Sequence, residues 1–394
     1  MKKKNLILPT ILLATTLMSC GGTNGTKDSE GRNLELTPSG QKIETKSGIS
    51  KLEKAIQATP KQDVWSFVGS SDSTIDVEGN VKNVTSSGTT STNFTASVTE
   101  PIIEGHFQKL NGSSISDAKA SLKFGGDITL NYGDEGSSSS CKVSGTNTYI
   151  SAYLDGTKTY VDPTGTKNFA SNLASAFLGS SYGFAMEYLL NSYFGSGYYI
   201  DNGFTDDEMP LIPSNIFSDI DTYLSLFSEH ADDYAKFLNV YSDNGNYSFY
   251  LTLNKNDIIT LVGDAQKKAE SVMSTSISSV DYANELKDLS VNACEFVVTF
   301  NESAILSTKY NIDLTNVTES ESYDYDALSS TFVKTGTSTT TYTVKAKGSL
   351  TFGNVAPTIP SDVKKYINGS DTFTALLELL EQYLSGDGFF GFDF

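Results

Sequence analysis

Residues 74–78 read Thr74-Ile75-Asp76-Val77-Glu78, and this strict alternation of polar and apolar side chains decides the fold class. A period of two sends one set of side chains to a core and the other to water, as in a half-buried β-strand. The same period recurs further along the chain. Phe94, Ala96 and Val98 alternate with Thr95, Ser97 and Thr99. Leu122 and Phe124, then Ile128, Leu130 and Tyr132, alternate with polar neighbours, and Gly125-Gly126 between them reads as a bulge or turn. Val143, Tyr149, Tyr153 and Tyr160-Val161 continue the series, with Asp155-Gly156 as a hairpin signal. The region from Trp65 to Asp162 is therefore predicted as antiparallel sheet with one wet face, rich in Thr and Ser.

On either side the period changes. Ile49, Leu52, Ala55 and Ile56 share a helical face, Ser50 and Glu53 have a capping-box spacing, and Thr59-Pro60 ends the segment. Residues 168–241 are helical in pattern. Phe169, Leu173, Phe177 and Leu178 are followed by an apolar run from Phe184 to Phe194. Ile216-Phe217, Ile220, Leu224, Phe227, Ala231, Tyr234-Ala235 and Leu238 then predict one helix at three- and four-residue steps. Sheet returns with Tyr247, Phe249, Leu251 and Leu253 after Asn244-Gly245, and a helix is expected over 257–273. A hairpin is expected around Asn301-Glu302-Ser303, and a further strand over Tyr342, Val344 and Ala346. An amphipathic segment, Leu376-Leu377-Leu380-Tyr383-Leu384, precedes a Gly/Phe-rich tail at 386–394. Sheet, helices, sheet predicts an α+β fold. Its large curved antiparallel sheet is half-barrel-like, with helices packed on the concave face. The domain is expected at 46–385, with two subdomains broken near 168–245 as the alternative.

The amino terminus carries a different signal. Met1-Lys2-Lys3-Lys4 is basic, Asn5 to Met18 is uncharged and mostly apolar, and Leu17-Met18-Ser19-Cys20 is followed by Gly21-Gly22. Such an order describes a secretory signal rather than a spanning helix. It resembles the signal peptides of bacterial lipoproteins: Leu17 three residues before the cysteine and Ser19 immediately before it fit the pattern, and Met18 is a less typical occupant. The resemblance implies cleavage after residue 19 and acylation of Cys20, palmitate included. It also implies a place in the bacterial cell envelope, facing outside the cytoplasm, with the lipid bilayer as partner through Cys20. More than one acyl chain is what makes such an anchor stable. Residues 20–45, without periodic order, read as a flexible tether.

The mature part resembles the half-barrel carriers of bacterial envelopes, the LolA-like lipoprotein carriers and the mycobacterial LppX/LprG lipoproteins. The similar parts are the opening helix at 49–58, the Gly156-Thr157-Lys158-Thr159-Tyr160-Val161-Asp162 strand and the Gly353 to Val363 segment with Ile359-Pro360. This resemblance implies an apolar or lipid ligand held between a bent sheet and helices. The candidate lining is aromatic: Phe177, Tyr182, Phe184, Tyr188, Tyr193, Phe194, Phe217 and Phe227. Packing under the helices would give those residues the same signature.

Composition excludes other classes. The chain of 394 residues has 47 acidic against 28 basic side chains, a net charge of −19, and Arg32 is its one arginine. An acidic surface repels polyanions and lacks the guanidinium forks that read them, so no nucleic-acid partner is expected. His106 and His230 are the only histidines, and Glu229-His230-Ala231-Asp232-Asp233 lacks the spacing that puts two imidazoles on one face. The acidic loop Asp201 to Glu208 does not follow the calcium-loop pattern, and Gly179-Ser180-Ser181-Tyr182-Gly183 misses the nucleophile-elbow spacing. No catalytic residue, metal or cofactor is expected. Cys141 and Cys294 are read as small hydrophobes, with a bridge between them as the alternative. The leading function is ligand carriage by an anchored lipoprotein, ahead of an adhesin or interaction module and, third, a carboxylate-dependent hydrolase.

Overall fold

The computed structural model describes residues 26–28, 31–134, 141–209, 211, 224–273, 282–326 and 331–369. Cys20, Phe217, the 376–384 segment and the 386–394 tail lie outside the described residues. Strands β1 (Thr26–Lys27) and β2 (Asn33–Leu34) form a small pair. All the other described strands belong to one sheet, and they are taken here in spatial order. Strands β16 (Ile367–Asn368) and β10 (Tyr198–Asp201) stand at one edge, followed by β9 (Lys158–Asp162), β8 (Cys141–Asp155), β7 (Lys119–Asp134) and β6 (Gly88–Gln108). Next come β4 (Val64–Gly69) and β5 (Thr74–Thr85), which lie end to end between β6 and β15 (Thr331–Gly353). Strands β14 (Ile305–Asp326), β13 (Ser290–Phe300), β12 (Asn246–Thr252), β11 (Leu238–Asp243) and β3 (Gln41–Ile43) complete the other side. Pairing is antiparallel apart from β10 with β16, and the sheet is curved without closing into a barrel. The predicted α+β class with helices on a curved antiparallel sheet is what the chain adopts.

Local chemistry explains the turns and the bending. Asn244 (φ 51°) and Gly245 (φ 85°) both sit in left-handed backbone between β11 and β12, as a two-residue hairpin requires. Register shifts fall between Thr99 and Ile102, where β6 carries the extra residue, and beside Gly126, where β8 carries it around Asn147 (φ 50°). Bulges at neighbouring positions bend a sheet and increase its twist.

The main core sits at the β11–β13 end. Helix α1 (Thr45–Ala58) lays Ile49, Leu52 and Ala55 against Leu238, Val240, Phe249, Leu251 and Phe300. Gly48 makes that approach feasible, since a Cβ there would stand 2.6 Å from the Val240 side chain. Helix α2 (Thr164–Leu178) and helix α3 (Ser180–Phe194) form a hairpin over β8, and α5 (Lys255–Met273) follows β12. Short α4 (Ala231–Tyr234) and α6 (Tyr282–Glu285) complete the described helices that bear labels.

Two expectations need correction. The first helix starts at Thr45, so Ser50 lies inside it and caps nothing. The helix expected to run to Leu238 breaks earlier: residues 224–229 are helical, His230 is a turn, α4 ends at Tyr234, and Leu238 opens β11. The Phe237 carbonyl accepts the Thr252 N–H, and Leu238 and Val240 are buried as strand residues facing β12. Sheet pairing overrides the helical spacing there. Cys141 and Cys294 are free thiols with β7, β6, β15 and β14 among the strands between them.

The N-terminal segment straps onto the sheet face opposite α1. Fully buried Glu295 accepts the backbone N–H groups of Glu35 (2.7 Å) and Leu36 (3.2 Å), the Tyr250 hydroxyl (2.8 Å) and Asn311 Nδ2 (2.9 Å). Leu36 packs on Tyr250 and Val297, and Lys347 pairs with Glu35. Burial and the adjacent Glu295 carboxylate push the Tyr250 phenol well above its ordinary range.

Candidate functional site

Cross-strand register sorts the large apolar side chains of the central sheet onto the face that bears the helices. Leu314, Val344, Val77, Ala96, Leu130 and Val143 follow one another across six strands. The adjoining row holds Tyr342, Gly79, Phe94 and Tyr132. The Tyr342 and Phe94 rings close over bare glycine backbone, 3.4 and 3.8 Å from where a Gly79 Cβ would stand. Tyr132 then meets Phe177 of α2 at a ring-centroid distance of 6.3 Å.

Strand β7 carries this face past the bulges, because the extra residues sit in β6 and β8 and its own alternation continues. Ile103, Phe124 and Ile150 form one row there, and Gly105, Leu122 and Ala152 the next. Phe124, Ile150 and Leu122 remain 56%, 44% and 42% exposed. Beside them Trp65 stacks on Phe107 at 4.0 Å, with Phe67 and Phe352 adjoining. The loop after β10 folds Phe204 and Leu211 over the lower rows. It leaves a cavity of about 300 Å³ lined by Leu110, Ala120, Leu122, Ala152 and Leu154 as well. Contiguous exposed apolar surface of this kind marks a binding surface, and a concave apolar lining is what small-ligand sites use.

The sequence-predicted aromatics fall in several places. Phe177, Tyr182, Phe184 and Tyr188 lie exposed on the α2–α3 hairpin, and Phe177 reaches the sheet through Tyr132. Tyr193 and Phe194 are in the last turn of α3. Phe227 packs in the main core, edge-on to Phe249 (5.8 Å) and Tyr234 (6.0 Å). Sequence reasoning did not single out Phe94, Leu122, Phe124, Tyr132, Ile150 and Tyr342 as a surface, although it read most of them as strand positions. The one signal available was bulk: aromatic or long aliphatic groups alternating with Thr, Ser and Gly.

The polar groups weighed for catalysis serve the fold. Asp206 accepts the Ile115 N–H at 2.7 Å, and Thr205 and Glu208 form a capping box. His230 Nδ1 stands 3.5 Å from Asp233 on its own helical turn. Tyr234 donates to Asp264 at 2.8 Å, and burial, then that carboxylate, pushes its phenol far up. Among the described residues no group of three His, Cys, Asp or Glu side chains could hold a metal ion, and no helix is long and apolar enough to cross a membrane.

No protein-family model matches the chain, and no curated protein does. Among solved structures, a domain described as an outer membrane lipoprotein-sorting protein from Vibrio parahaemolyticus is 8% identical. The match covers 82% of this chain and 97% of that one at a TM-score of 0.16. The outer membrane protease OmpT from Escherichia coli is 7% identical, covering 74% and 97% at a TM-score of 0.15.

Proposed function

We propose that this chain is a lipid-anchored envelope protein that holds an apolar ligand, of acyl-chain type, against the helix-bearing face of its sheet. The observation that carries this reading is the concentration of exposed aromatic and long aliphatic side chains on one face, where the same strands expose Val68 and Val84 on the other. Phe94, Leu122, Phe124, Tyr132, Ile150 and Tyr342 share one face by register and run into an apolar cavity beside Phe204. Covering a half-exposed Phe or Leu with hydrocarbon is worth about 25 cal/mol for each Å² removed from water. A row of such residues suits a long flexible chain better than a compact polar substrate. The anchor rests on the Leu17 to Cys20 signal.

The test uses the full-length Cys20→Ala chain. It is expected in the soluble fraction, and native mass spectrometry is expected to find co-purifying lipid that mild organic extraction removes. Phe124→Glu should reduce the bound fraction roughly tenfold, since one charge in an apolar contact costs more than a factor of ten in affinity. Unchanged detergent partitioning of Cys20→Ala would defeat the anchor. Identical lipid occupancy in Phe124→Glu would defeat the ligand face.

A second reading, an adhesin, draws on the β14–β15 hairpin, whose Tyr323, Phe332 and Val333 side chains are exposed near its far end. It predicts a partner protein lost on Phe332→Ser, with lipid occupancy unaffected.

A further inference from the structure

The opposite face of the same strands carries polar chemistry that apolar-ligand binding leaves unused. By register, Ser66, His106, Ser121 and Tyr153 form one row across β4, β6, β7 and β8. Glu104 and Lys123 are directly opposed in the next row. The chain leaving β15 turns back over this floor and is held at both ends. The Val355 N–H donates to buried Ser66 Oγ at 3.1 Å, while Val363 and Tyr366 pack on Tyr160. Between the two holds, floor and roof border a half-open cavity of about 370 Å³ lined by Glu104, His106, Ser121, Leu122, Lys123 and Tyr153 below and by Val355, Ala356 and Thr358 above.

Two features of the lining point to a ligand. Directly opposed carboxylate and ammonium groups on adjacent strands have Cβ atoms about 5 Å apart and ordinarily pair. Here no ion pair joins Glu104 and Lys123, and the Lys123 ammonium instead lies over the Tyr149 ring at 4.2 Å. His106 Nδ1 is buried without a hydrogen-bond partner among the described residues, an arrangement that native proteins rarely leave unfilled. The groups left facing the cavity are the Glu104 carboxylate, the Lys123 ammonium beside the Tyr149 ring, and the polar atoms of His106 and Ser121.

We infer that this pocket binds a small zwitterion, a molecule carrying an ammonium and an acidic group two to four bonds apart, as a free amino acid does. The ammonium faces Glu104, and the acidic group faces Lys123, with Ser121 and the imidazole as hydrogen-bond partners. Glu104, His106, Ser121 and Lys123 point the other way from the apolar rows by register, and Leu122 and Tyr153 are the residues that border both cavities.

With only two histidines in the chain, imidazole resonances report the pocket directly. The full chain in detergent, labelled with 13C-histidine and assigned with His230→Gln, is titrated with L-alanine, N-acetyl-L-alanine, L-alaninamide and phosphoethanolamine. A saturable shift of the His106 resonance is expected with L-alanine. N-acetyl-L-alanine and L-alaninamide, which each lack one charge, should bind at least tenfold more weakly. A stronger response to phosphoethanolamine would identify a headgroup as the source of the same chemistry. Glu104→Gln and Lys123→Met should each weaken the response at least tenfold, and Lys123→Arg, which keeps the cation, should retain most of it. No shift with any probe up to roughly 10 mM, the millimolar limit of useful affinity, would overturn the inference. Equal responses to the zwitterion and its singly charged analogues would overturn it as well.

Discussion

Glu295 is the most demanding single residue of the fold, and replacing it tests the N-terminal strap. Its carboxylate is fully buried and takes four donors from three places: the strap backbone at Glu35 and Leu36, Tyr250 on β12 and Asn311 on β14. Hydrogen bonds to a charged group contribute about 1.5–3 kcal/mol each, but they do not add when the donors can escape to water. The strap can lift, which rehydrates the two backbone N–H groups, whereas Tyr250 and Asn311 are fixed in strands. Glu295→Leu is therefore expected to cost about 2–5 kcal/mol, since each of the two fixed donors left without its acceptor costs about 1–3 kcal/mol. Glu295→Gln keeps one carbonyl acceptor but brings two N–H donors into a site made of donors, so it should fall between the wild type and Glu295→Leu. Urea unfolding reads the total as a shift in midpoint at unchanged slope. Hydrogen exchange at Glu35 and Leu36 reads the strap alone, and should accelerate in both variants while amides of Phe249 and Leu251 keep their order of protection. A midpoint loss below about 0.5 kcal/mol for Glu295→Leu, typical of a surface change, would refute the reasoning. So would unchanged exchange at the strap.

Two further outcomes are expected. Gly48→Ala gains about 1 kcal/mol of helix propensity but drives a methyl to 2.6 Å from Val240, so a net loss of roughly 1–3 kcal/mol should appear as a lower thermal midpoint; a stabilised variant would mean that α1 can retreat at no cost. Burial pushes the Cys294 thiol up to about 12, so at pH 8 it stays protonated in the folded chain. Iodoacetamide should then label the less buried Cys141 first and Cys294 only after denaturation, as peptide mass spectrometry would show.

The strand pattern was legible because burial on one face writes a period of two into the sequence. Thr74 to Glu78, Phe94 to Thr99 and Leu122 to Tyr132 all fall in the predicted sheet, and the Gly125-Gly126 irregularity marks a real register shift. The 224–238 stretch misled because Leu224, Phe227, Ala231 and Tyr234 are helix-spaced core residues, and a strand starting at buried Leu238 continues that spacing by coincidence. Periodicity in one segment cannot report a partner strand at Leu251. The apolar face was hidden for a related reason. Phe124 and Phe249 have the same local signature, but one faces open space and the other faces Phe227, and only the pairing of distant strands separates them. His106 and Lys123 likewise come together through register alone.

Register also fixes how the N-terminal strap and the two faces relate. On β13, Glu295 and Val297 point to the strap, while Cys294, Phe296 and Val298 point to the helices. The strap therefore lies on the back of the sheet, at the end where α1 fills the front. Phe124, Ile150 and the cavity beside Phe204 belong to the front of β7 and β8, with β6, β15 and β14 intervening before β13. A chain running from residue 33 toward Cys20 starts from the face opposite the apolar rows and several strands away from them. Releasing the strap with Glu295→Leu frees the segment before residue 41 from the back of the sheet, so that under the proposed function it would contend with the proposed ligand for the front face. The strap thus has a positional consequence in addition to the stability it supplies, and the two separate experimentally: lipid occupancy of Glu295→Leu below its denaturation midpoint reads position, and the midpoint itself reads stability.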